Sequence, residues 1–247
     1  MLNIRAMIHT DTGKDGTRII AIANQKGGVG KTTTAINLAT AMAAVGQNVL
    51  LIDLDPQGNA TTGLGVRRSM IRDSAYDVLF EGLSIADVAV QTRVPRLSVV
   101  PSSIHLSGAE IELVTATNRE FRLKDALTQT LAYDYVIIDC PPSLSMLTLN
   151  ALIAAQSVLV PLQCEFYALE GLSHLVKTIE RVRKSYNPVL DIQGLVLTMY
   201  DRRNNLSKLV EADVREYFGD KVYQTVIPRN VRPVSYTHLT LPTILLV

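Results

Sequence analysis

The sequence predicts a single doubly wound α/β sheet, mostly parallel, with helices on both faces. Three observations carry that expectation. Short apolar runs recur at residues 19–23, 49–52, 97–100, 136–138, 158–160, 195–197 and 222–227, most of them continuous rather than alternating, as strands covered on both faces are. Segments with helical spacing lie between several of these runs. A glycine-rich loop joins the first run to the first strong helix. Strand, helix and strand in repetition join parallel strands by right-handed crossovers, and such sheets bind ligands at the carboxyl ends of their strands.

In chain order, residues 1–17 are polar and charged and are expected to form a loose extension. They contain no apolar stretch of signal-peptide length, so secretion is not expected. The first strand ends at Asn24. In the helix expected over 32–45, Ala35, Leu38, Ala39, Met42 and Val45 fall on one stripe and Gly46 supplies a stop. The second strand runs into Asp53, and a further strand runs into Asp139. The most apolar long stretch, 149–162, is broken by Asn150, Gln156 and Ser157 and falls short of the ~20 apolar residues a membrane span needs, so no membrane association is expected. No repeat or Pro/Gly/Ser linker divides residues 18–232, which read as one domain.

Composition narrows the function classes. Of 247 residues 47% are hydrophobic and 19% charged, which supplies a core and excludes wholesale disorder. A net charge of +1 excludes a global field drawing the chain to nucleic acid or anionic membrane, so any such binding must be local. The two cysteines, Cys140 and Cys164, are too far apart for a Cys-x-x-Cys unit and fit a reducing cytoplasm. The four histidines have no metal-ligand spacing.

The chemistry concentrates in Gln25-Lys26-Gly27-Gly28-Val29-Gly30-Lys31-Thr32-Thr33. Glycines let a loop wrap with its N–H groups inward, and the following helix terminus adds roughly half a positive charge, so a polyphosphate is the natural occupant. Lys31 would reach the β and γ phosphates, and the Thr32 hydroxyl would hold Mg²⁺. The common form of this loop has Gly where Gln25 stands and lacks the second lysine, Lys26.

This loop resembles the deviant Walker A motif of the ParA/MinD ATPase family. The resemblance covers residues 18–232. It implies a P-loop ATPase using ATP and Mg²⁺, with nucleotide contacts from Lys26, Gly27, Gly28, Val29, Gly30, Lys31, Thr32, Thr33 and Pro228. It further implies an ATP-dependent sandwich homodimer in which Lys26 crosses to the partner's ATP, as a trans-acting arginine finger does. Asp53-Leu54-Asp55-Pro56-Gln57-Gly58-Asn59 is similar to the ParA/Soj branch, and the resemblance gives Asp55 the attacking water and Asp53 the outer metal shell. Asp139, closing Tyr135-Val136-Ile137-Ile138-Asp139, has the form of a Walker B carboxylate binding Mg²⁺ through water, although many buried strands end in Asp.

Residues 200–232 hold seven Lys and Arg against five Asp and Glu, an excess that suits either a DNA-binding patch or a solvated helix face. The segments 198–206 and 226–232 look like those of chromosomal ParA/Soj proteins, which implies contacts to nonspecific double-stranded DNA from Arg203, Arg232 and then Arg229. The same resemblance implies a ParB-type centromere-binding partner that stimulates hydrolysis, and a nucleoid-associated cytoplasmic protein. A MinD-like, membrane-cycling regulator of the division site is the alternative, disfavoured by the 53–59 sequence and by Arg202 and Arg229. A nitrogenase-reductase-like iron–sulfur ATPase shares the loop but would need two cysteines per chain at a cluster. Finally, Val234-Ser235-Tyr236-Thr237-His238-Leu239 resembles one reading frame of a transposon-end sequencing adapter. Residues 233–247 are therefore expected to be a non-native tail, leaving the domain incomplete at its carboxyl end.

Overall fold

The computed structural model describes residues 16–128, 132–165 and 168–229. In chain order its elements are β1 (Arg18–Ile22), α1 (Lys31–Ala44), β2 (Val49–Asp53), α2 (Asn59–Gly63), α3 (Ala75–Phe80), α4 (Ile85–Val88), β3 (Val90–Gln91) and β4 (Leu97–Val100). There follow α5 (Ala109–Thr115), α6 (Arg122–Leu127), β5 (Tyr135–Asp139), α7 (Met146–Ala154), β6 (Ser157–Gln163), α8 (Ala168–Ser185), β7 (Asp191–Thr198) and α9 (Asn205–Phe218). Residues 233–247 and most of the amino-terminal extension lie outside the described residues.

The strands form one sheet in the order β3-β4-β2-β5-β1-β6-β7, with every neighbouring pair parallel except β3 and β4. This is the doubly wound α/β sheet expected, and its two faces explain the continuous apolar runs. Ile19, Ala21, Leu50, Ile52, Val136 and Ile138 point to one face, under α7 and α8. Ile20, Ile22, Val49, Leu51, Tyr135 and Ile137 point to the other, under Ala35, Ile36, Leu38, Ala39 and Met42 of α1. Alternate residues thus serve two cores, so neither parity can be polar. Burying each large aliphatic side chain contributes about 1.5–3 kcal/mol relative to exposure.

The chain passes from β1 through α1 to β2, and β5 then inserts between those strands. Register pairs Ile22 with Asp139 and Asp53 with Asp139, so three strands end at one level. That common edge beside the first loop is where open α/β sheets hold ligands.

Two expectations need correction, and one short strand was not expected. The 222–227 run is not a strand; it meets β7 only at isolated points, where Tyr223 N–H donates to Leu195 O and Ile227 N–H to Leu197 O. Four residues of the run thus span two of β7, and the surplus pushes Gln224 and Thr225 out of the ladder. Val45 is not on the buried stripe of α1: it follows the last helical residue, is 54% exposed, and precedes Gly46 at φ +97°. The edge strand β3, two exposed residues long, is too short to show a period.

Candidate active site

β1 ends at Ile22 rather than at Asn24, and Asn24, buried two residues beyond it, anchors the loop. Its Nδ2 donates to Pro161 O of β6 (2.7 Å), and its Oδ1 accepts the Lys26 N–H (3.0 Å). Gly28 and Gly30 take left-handed φ values of +74° and +89°, which a Cβ would strain. Gly30 then caps α1 with no side-chain acceptor, leaving first-turn N–H groups to face a ligand. Val29 is buried, and its carbonyl accepts the Thr198 hydroxyl (2.8 Å) from the end of β7. Gly27 lies beside Pro142, which follows β5.

The two lysines face different surroundings. Lys31 is buried, and its Nζ donates to Lys26 O (2.9 Å), back into the loop. Burial lowers its pKa, against the opposing charges of Asp139 and Asp55. Lys26 lies on the outer side, half-exposed, with its Nζ paired to Glu165 just beyond β6.

The carboxylates also differ in kind. Asp53 is wholly buried and saturated: Oδ2 accepts the Thr61 N–H (2.8 Å) and hydroxyl (2.6 Å), and Oδ1 accepts the Asp55 N–H (3.2 Å). Burial nevertheless pushes its pKa up to about 6. Asp55 is 7% exposed, and its Oδ1 accepts the Gln57 N–H (2.9 Å). Asp139 is fully buried, and among the described residues neither of its carboxylate oxygens makes a hydrogen bond of ordinary geometry, although the Thr32 hydroxyl stands near it. Its pKa is raised well above the usual range, chiefly by burial and then by Asp53, with the Thr32 hydroxyl and the Lys31 charge opposing.

A buried carboxylate beside a hydroxyl and an ammonium group fits a hard cation held through oxygen and water. Among the described residues no three acidic, His or Cys side chains are grouped so as to hold a metal ion. Thr32, with Asp139 behind it, would be the protein's share. Cys140 and Cys164 are both buried and free, and burial raises Cys164 to about 11.

The remaining residues expected at the site lie beyond β7. A hollow of about 490 Å³ is lined by Tyr200, Asp201, Arg202, Arg203, Val226, Pro228 and Arg229. It gathers the expected nucleotide contact Pro228 and two expected DNA contacts in one place. Arg203 is 91% exposed, and its Nε and Nη2 each donate to Asp201 at 3.2 Å. Arg229 is tied in by its backbone N–H to Tyr200 O (3.1 Å). Arg232 lies outside the described residues. Sequence reasoning missed Thr61, Ser102, Glu165 and Thr198; Thr61 bonds Asp53 eight residues away, but its bond to Ser102 and those of Glu165 and Thr198 reach far along the chain.

The sheet order, the glycine loop opening α1 and the carboxylates at one edge define a P-loop nucleotide-binding fold whose loop carries two lysines. A family profile described as "AAA domain" matches residues 17–192. Over 218 residues the chain is 63% identical to the chromosome partitioning protein ParA of Caulobacter vibrioides, covering 87% of this chain and 82% of that one. It is 55% identical over 216 residues to the sporulation initiation inhibitor protein Soj of Bacillus subtilis, covering 87% and 85%. The structure of cobyrinic acid a,c-diamide synthase from Mycobacterium smegmatis with bound ADP and magnesium is 42% identical, with a TM-score of 0.82 over 87% of this chain and 88% of that one. The chain belongs to the ParA/Soj family of chromosome partitioning proteins. Among the described residues no helix is long and apolar enough to cross a membrane.

Proposed function

We propose that this chain is an ATP-dependent DNA-segregation ATPase. The observation that carries the reading is the convergence of Lys31, Thr32, Asp55 and the buried Asp139 on one edge beside the loop. Lys31 would leave the Lys26 carbonyl for the β and γ phosphates, and the loop N–H groups would hold the remaining phosphate charge. Thr32 and Asp139 would hold Mg²⁺, which when bound neutralises charge on the transferred phosphoryl group. Asp55 would orient the attacking water, with Asp53 behind it.

Lys26, on the outside of the loop, would exchange Glu165 for the nucleotide of a second copy, so that full turnover requires a dimer. Arg203, Arg229 and Arg232 would contact DNA phosphates. A few such contacts per chain support only about 10⁻⁴ to 10⁻⁶ M affinity at physiological salt, so closing two copies together would switch DNA binding on. A ParB-type partner would stimulate hydrolysis and release. The relatives at 63% and 55% identity support this reading over the synthase chemistry named for the 42% neighbour.

The test is binding to a random-sequence duplex without nucleotide, with ADP, and with ATP plus Mg²⁺, alongside the Arg203→Ala, Arg229→Ala double variant. The expected result is binding that needs ATP, weakens steeply with salt and is lost in the variant. Intact ATP binding without ATP-dependent duplex binding would refute it.

A further inference from the structure

Asp53 and Asp55 are held by a buried hydroxyl pair to which the ATPase chemistry proposed above assigns no part. The Thr61 hydroxyl, one turn into the segment after the 53–59 loop, donates to Asp53 Oδ2 at 2.6 Å and accepts the Ser102 N–H at 2.9 Å. The Ser102 hydroxyl in turn donates to the Asp55 carbonyl at 2.5 Å. Thr61 is 1% exposed and Ser102 3%, so water competes with neither bond. Both ends of residue 55 are thereby fixed: its N–H is held by Asp53 Oδ1, and its carbonyl accepts both the Ser102 hydroxyl and the Gly58 N–H (2.9 Å), of which only the Ser102 bond ties it to the loop after β4.

The direction of the chain of bonds is determined by chemistry. A backbone N–H can only donate, so the Ser102 amide occupies a lone pair of Thr61, and the Thr61 proton goes to the Asp53 carboxylate. The relay joins the loop after β2 to the loop after β4 and ends on the residue expected to orient the attacking water. Placing a water in line with a phosphoryl group demands sub-ångström positioning, and a misplacement of about 1 Å costs on the order of a hundredfold in rate.

We propose that Thr61 and Ser102 are positioning residues of the hydrolytic step, fixing the Asp53–Asp55 segment against the loop after β4. This rests on the ATPase reading. The experiment compares the full chain with Thr61→Val, Thr61→Ser and Ser102→Ala, measuring kcat and KM for ATP, affinity for a fluorescent ADP, and the thermal melt. In Thr61→Val, kcat should fall by about tenfold to a hundredfold while KM and ADP affinity stay within about threefold. Thr61→Ser, which keeps the hydroxyl, should restore kcat. Ser102→Ala should lower kcat without weakening ADP.

Folded Thr61→Val or Ser102→Ala with wild-type kcat would overturn the proposal, as would a parallel loss of ADP affinity, which marks a merely structural role. Should Thr61→Val fail to fold, Ser102→Ala and Thr61→Ser decide by the same criteria. If the wild-type chain turns over no ATP, the ATPase reading itself falls, and the inference with it.

Discussion

Replacing Lys26 by alanine should separate stability from turnover. The ammonium group pairs with Glu165, but the two side chains are 39% and 42% exposed, so solvent screens the pair and it is worth at most about 1 kcal/mol. The bonds that shape the loop here use only the backbone of Lys26: its N–H donates to Asn24 Oδ1, and its carbonyl accepts from Lys31 Nζ. Both survive truncation, and the melting temperature should move by no more than about 4 °C. Turnover should behave differently. If Lys26 neutralises charge on a second copy's phosphates, its loss should cost on the order of 10³ to 10⁵ in rate, as for a trans-acting arginine finger. Asp55→Ala should also be inactive while leaving its own Lys26 free to serve a partner. In an equal mixture of Lys26→Ala and Asp55→Ala chains, half the dimers are mixed and each holds one complete site, so about a quarter of the wild-type rate should return. The assay is phosphate release with duplex DNA present. A mixture no faster than the two variants alone would sink the trans role, and a large drop in melting temperature for Lys26→Ala would show that the lysine is structural.

Two further outcomes follow from the geometry. Because burial raises Asp53 from 3.8 to about 6, and raises Asp139 in the same direction, the nucleotide-free fold carries stability that is full below the unfolded pKa and is lost as pH rises through the folded value. Asp53→Asn removes this pH-dependent loss but turns an NH2 donor toward the N–H of Asp55 or the donors of Thr61, so the variant should be less stable than wild type at pH 5, with the deficit narrowing toward pH 8 in urea unfolding; an equal deficit at both would contradict the argument. A Cβ added at Gly194 would stand 2.6 Å from Tyr223 Cε2 and 3.0 Å from Lys221 O, a clash the ring and the backbone must both relieve. Gly194→Ala should cost about 1–3 kcal/mol, read as a lower melting temperature, and should weaken duplex binding because Tyr223 begins the segment carrying Pro228 and Arg229; an unchanged melt would refute it.

The phosphate loop, the α/β class and the strand-ending aspartates were legible in the sequence because each is a local property. A left-handed backbone selects Gly28 and Gly30. Burial on both faces makes the runs at β1, β2 and β5 wholly apolar, and a carboxylate at a strand end follows from the strand. What only the tertiary structure decided are the partners across the chain. Thr61 meets Ser102 41 residues later, Lys26 meets Glu165 at a separation of 139, and Thr198 meets Val29 at 169. These bonds are made by single Thr, Ser and Glu side chains with no periodicity, and the strand order that puts β5 between β1 and β2 brings their loops together. The 222–227 run shows the same limit from the other side: its composition is that of a strand, but pairing requires a matching register on β7, and two surplus residues deny it.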